Sequence, residues 1–110
     1  KFSKKNFLNL LSLIKGIKSY SITSFNEKNI SNINKIKKNL NLGLVFSSTS
    51  SIKKIFQKSK LKYIKLLVLE KRFLTNEKLK KIKKPIYFYT VKSKKIRNKF
   101  VEKNLIFENL

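Results

Sequence analysis

The stretch Leu61 to Leu69, with Tyr63, Ile64, Leu66, Leu67, Val68 and Leu69, reads as one strongly apolar strand, and its last four residues have no polar side. A strand built from it is buried on both faces near its end, so the rest of the chain must supply cover. With 41% hydrophobic residues the cover is available, which excludes a disordered basic tail.

The neighbouring segments read by their periods. Phe7, Leu10, Leu11, Ile14 and Ile17 recur at three-to-four spacing, predicting an amphipathic helix from Lys4 to about Lys18, with Gly16 closing it. Ser19–Phe25 alternates as a short strand, and Ser24-Phe-Asn-Glu27 has the spacing of a capping box. A second helix follows on Ile30, Ile33, Ile36 and Leu40, then a strand over Leu42–Phe46 and a polar loop over Ser47–Ser51. Ile52, Ile55 and Phe56 fit a helical turn or two. Phe73 to Lys84 is ambiguous: Leu79 and Ile82 suit a helix, Phe73 and Thr75 an edge strand. Pro85 interrupts it before Ile86–Val91, a strand by its β-branched and aromatic content. Ser93 is placed to cap a short basic helix bearing Ile96 and Phe100, and Leu105-Ile-Phe107 is a last short strand. The order defines an α/β (α+β) fold: an α-β-α-β N-terminal lobe, 1–58, and a small β-rich C-terminal lobe with one short helix, 59–110, together one compact unit.

Charge bounds the function. There are 28 Lys+Arg against 5 glutamates and no Asp, a formal charge of +23. The wealth of Lys, Asn, Ile and Phe and the lack of Ala follow A/T-rich codons, which accounts for Lys over Arg but not for the shortage of acids. The deficit therefore points to a polyanionic partner. His, Cys and Met are absent, so the usual nucleophile–base pairs and transition-metal ligand sets cannot be assembled. The expectation is a protein without enzymatic activity, cofactor, metal or small-molecule substrate. No apolar run reaches the roughly 18–20 residues of a membrane span, and no membrane insertion is expected. Residues 1–20 are basic, serine-containing and acid-free, loosely like a mitochondrial presequence, but read as a structural helix.

Two basic clusters flank the aromatic strand: Lys78, Lys80, Lys81, Lys83 and Lys84 before Pro85, and Lys92, Lys94, Lys95, Arg97 and Lys99 after it. Lysine supplies charge for phosphates, and an exposed tyrosine can stack on a base or bond a ribose hydroxyl. The expected RNA contacts are Lys4, Lys5, Lys81, Lys83, Lys84, Tyr89, Lys92, Lys94, Lys95 and Arg97. Strand alternation is expected to bury one of Tyr87 and Tyr89. The Ser47–Ser51 loop matches neither a phosphate loop nor a nucleophile elbow; an RNA-backbone role and a plain loop stand equal.

In element order the chain resembles the universal small-subunit ribosomal protein eight family. Phe7–Ile17 looks like that family's first helix and Lys60–Leu69 like its long hairpin strand. Leu79-Lys-Lys-Ile-Lys-Lys-Pro85 looks like its basic run and proline, and Ile86–Tyr89 like its tyrosine-bearing strand. Lys92–Arg97 stands in the place of a short helix and Leu105–Phe107 of an apolar strand. The glycine that usually follows the proline is missing, and the Ser-Thr-Ser positions fall on Glu108-Asn109-Leu110, leaving Asn109 as the polar remnant of an RNA contact. The resemblance implies an rRNA-binding constituent of a small ribosomal subunit, beside neighbouring ribosomal proteins, in a divergent organelle expected to be mitochondrial. The competing reading is a lineage-specific basic subunit of a large assembly that acts through protein–protein contacts.

Overall fold

The computed structural model of the chain describes residues 3–16, 20–91 and 104–107. The apolar run forms the centre of a sheet. Leu66–Glu70 (β3) pairs in parallel with Leu42–Phe46 (β2) on one side and Ile86–Val91 (β4) on the other. Ile22–Ser24 (β1) and Asn104–Phe107 (β5) complete five parallel strands in the order β1-β2-β3-β4-β5. Parallel neighbours need long crossovers. Helices Glu27–Ile36 (α2) and Ile52–Ser59 (α3) supply the first two; 3₁₀ helices Lys71–Thr75 and Glu77–Lys81 supply the third. Helix Lys4–Leu13 (α1) precedes β1, capped by Ser3 and packed through the buried Phe7.

Every described crossover lies on one face of the sheet. Leu42, Leu44 and Phe46 of β2, Leu67 and Leu69 of β3 and Phe88 of β4 share a single cluster with Phe7, Ile30, Ile33, Ile55, Phe73, Leu74 and Leu79 from the helices. Consecutive strand order with crossovers of one hand produces this one-sided layering. Ile30, Ile55, Ile64, Leu67 and Leu69 are fully buried, each contributing roughly 1.5–3 kcal/mol of transfer free energy. On the reverse face Leu66 lies over Gly43 and is buried with Val68, while Tyr87 is 38% and Phe25 66% exposed.

The fold is the mixed α/β class expected, with local differences. Helix α1 ends at Leu13 rather than near Lys18, and Leu13 itself is exposed. The cap of α2 is Asn26, whose side chain accepts from the Lys28 and Asn29 amides. Ser24 instead accepts from the Asn26 amide, and Glu27 turns away to α3, so the capping box is not formed. The 61–65 stretch is turn rather than strand, because the exit from α3 folds back through Leu61 to Lys58 and Ile64 to Leu61 hydrogen bonds that drop Ile64 into the core. The ambiguous 73–84 segment is neither a regular helix nor an edge strand. It is two 3₁₀ turns hinged on Asn76, which bury Phe73, Leu74 and Leu79 while returning the chain to the amino edge of the sheet. The sheet and the core cluster run unbroken across the 58/59 boundary, which falls inside α3. The short helix expected from Ser93 lies outside the described residues.

Candidate nucleic-acid interface

The described lysines are exposed, apart from the half-buried Lys58 and Lys84. The described glutamates are all engaged within the chain. Glu27 pairs with Lys58 and accepts from Tyr63, Glu70 caps a 3₁₀ helix through the Arg72 amide, and Glu77 pairs with Lys80. Among the described residues, lysines far outnumber these acids, so most of the cationic surface has no acid beside it.

Part of that surface is shaped. Beside the amino end of β4, a groove of about 330 Å³ is lined by Phe56, Ser59, Lys60, Lys81, Ile82, Lys83 and Lys84. Pro85 fixes this place, since its carbonyl accepts from the Leu67 amide and locks the segment to β3. The two 3₁₀ turns deliver Lys81 and Lys83 to the rim, and the end of α3 delivers Lys60, where the helix dipole also favours a cation. Phe56 and Ile82 form an apolar floor, and no acid lines the groove. A rim of ammonium groups over an apolar floor suits a phosphate backbone with a base or ribose face beneath it.

The structure thus brings together Lys81, Lys83 and Lys84 from the expected set and adds Lys60, which basic runs around Pro85 could not reveal because it arrives from another element. Lys84 is partly structural: its ammonium donates to the Leu61 carbonyl at 2.7 Å, and burial, with Lys65 nearby, lowers its pKa. Lys4 and Lys5 are exposed on the first turn of α1, away from this groove. That turn holds no acid, so both cations sit where the helix dipole disfavours them.

Tyr89 does not join the lysines. Its hydroxyl donates to the Phe46 carbonyl at 3.2 Å, near the opposite edge of the sheet, and its ring meets Phe25 edge-on at 6.4 Å. Burial, and then the charge of Glu70, raise its pKa. The expectation that alternation buries one tyrosine of the pair is also corrected. Residues two apart share a face, so Tyr87 and Tyr89 both lie on the reverse face while Phe88 between them enters the core. Lys92, Lys94, Lys95, Arg97 and Asn109 lie outside the described residues.

No protein-family model, curated protein or solved structure matches the chain. The hairpin strand implied over Lys60–Leu69 by the ribosomal resemblance is replaced by a parallel strand, Leu66–Glu70, between two parallel neighbours. The apolar strand it implied near the end corresponds to β5, Asn104–Phe107. Among the described residues no helix is long and apolar enough to cross a membrane, and no cluster of acidic residues could hold a metal ion.

Proposed function

We propose that this protein is a non-catalytic RNA-binding subunit of a ribonucleoprotein, neutralising and pinning folded RNA. One observation carries the reading: Lys60, Lys81, Lys83 and Lys84 converge on a single groove whose lining contains no acid. Each lysine seated on a phosphate releases condensed counterions, so affinity comes from the solvent and falls steeply with salt. With the described acids engaged within the chain, the lysine groove is left to meet an anionic partner.

The narrower assignment is a structural constituent of the small subunit of a mitochondrial ribosome, seated on rRNA among neighbouring ribosomal proteins. It is supported by the acid deficit and by the sequence resemblance around Pro85. Gradient sedimentation of the native particle, with and without ribonuclease, tests the proposal. Association lost only after RNA digestion agrees with it; association that survives digestion assigns the basic faces to acidic proteins instead.

A further inference from the structure

The carboxyl edge of the sheet carries a second concavity, at the opposite side from the lysine groove. An open crevice of about 570 Å³ lies where β1 and β2 end. Leu44, Val45 and Phe46 form its wall. The Ser47–Ser51 loop supplies Ser47, Thr49, Ser50 and Ser51, and the first two turns of α3 supply Lys54 and Lys58. The ring of Phe25 lines the same crevice, and a side chain so apolar is 66% exposed there.

The loop is held in place from outside. The Arg72 guanidinium donates to the Ser50 carbonyl at 3.2 Å and stacks over the Phe73 ring at 4.1 Å, anchoring the loop to the core. Glu27 also lines the crevice, where Lys58 and the Tyr63 hydroxyl engage its two oxygens and Lys54 acts on its charge from farther off; two lysines against one glutamate leave the lining net positive toward an incoming anion. A flat apolar ring, hydroxyls and an exposed ammonium around a volume of this size match the three parts of a nucleotide: base, ribose and phosphate.

We propose that this crevice receives one unpaired nucleotide of the bound RNA. The base stacks on Phe25, the sugar and phosphate meet the Ser/Thr loop, and Lys54 neutralises the phosphate. The proposal rests on the RNA-binding reading but uses a different site from the lysine groove, so the two can fail separately.

The test titrates the full-length protein by calorimetry with a nucleoside 5′-monophosphate, the matching nucleoside and inorganic phosphate, then with single-stranded and duplex RNA. The variants are Phe25→Ala and Lys54→Ala, both at exposed positions, and the combined Lys60→Gln/Lys81→Gln/Lys83→Gln. Phe25→Ala is expected to weaken the monophosphate and single-stranded RNA about tenfold, a typical stacking loss, with the salt slope unchanged and phosphate and duplex binding unaffected. Lys54→Ala is expected to weaken both the monophosphate and inorganic phosphate. The triple variant should lower RNA affinity and leave the monophosphate untouched. Wild-type monophosphate affinity in both Phe25→Ala and Lys54→Ala overturns the proposal, as does its loss in the triple variant, which would move the site to the lysine groove. If the monophosphate binds as expected but no RNA does, the crevice takes a free nucleotide, and the RNA reading fails with the bound-RNA source proposed here.

Discussion

The Tyr63 hydroxyl donates to Glu27 Oε2 at 2.9 Å across 36 residues of sequence, while Lys58 holds the other carboxylate oxygen. These contacts tie the first turn of α2 to the end of α3 and the turn beyond it. The Lys58 hydrogen bond, then that from Tyr63, hold the Glu27 carboxyl below its usual pKa. A depressed folded-state pKa adds stability that is complete above the unfolded carboxylate value and is lost as pH falls through the folded one. Urea midpoints measured from about pH 6 to about pH 3 should therefore drop more steeply for wild type than for Glu27→Gln. At neutral pH the variant should cost about 1 kcal/mol, a modest figure because both charged side chains are about a third exposed. Parallel pH profiles would refute the linkage.

Gly43 is required by packing. A Cβ there would meet Leu66 Cγ and Cδ1 at 2.7 Å and the Leu66 carbonyl oxygen at 3.1 Å. Gly43→Ala should destabilise by roughly 1–3 kcal/mol in denaturant unfolding, as overpacking does. Combined with Leu66→Ala it should cost less than the sum of the single variants, since the second substitution removes the clashing side-chain atoms. Strict additivity would show that the clash is with backbone alone.

The lysine groove predicts a salt signature. Replacing Lys60, Lys81 and Lys83 together by Gln should reduce the log–log salt slope of RNA binding by about 2–3, at roughly 0.7–0.9 for each lost phosphate contact. Filter binding across a salt series measures it. An unchanged slope would place the RNA on another face. The folded state should survive, because these side chains are exposed.

Tyr89→Phe separates a structural tyrosine from one that binds RNA through its hydroxyl. Losing the bond to the Phe46 carbonyl should cost about 1 kcal/mol in thermal unfolding while RNA affinity stays within about twofold. Loss of affinity with unchanged stability would reverse the assignment. The raised pKa of Tyr89 favours its neutral form, so its stabilising contribution is held below the unfolded tyrosine value and lost as pH rises through the folded one.

Local chemistry made several elements legible. Leu42–Phe46 and Ile86–Val91 are strands within the bounds expected, because β-branched and aromatic residues in short runs carry that preference wherever they sit. The clustering of Lys81, Lys83 and Lys84 was legible because they are close in sequence. The crevice was not. Its ring, hydroxyls and ammonium come from the ends of β1 and β2 and the start of α3, and no spacing in the chain joins Phe25 to Lys54. The 61–65 segment misled for the opposite reason: its apolar content runs on into Leu66–Leu69 like one strand, but the exit from α3 has to bury Ile64.

By itself, the sequence determined a folded mixed α/β chain, a strand doubly buried near Leu69, though drawn too long at its start, and a surface short of acids. Those properties follow from composition and from periods a few residues long. Only the tertiary structure decided that the strands are parallel and in chain order, that the described crossovers share one face, that Glu27 bonds Tyr63 rather than its own helix cap, and that Lys60 completes the groove. Strand direction, register and cross-element pairing are settled by how crossovers of different length bury one common core, a property no local window contains.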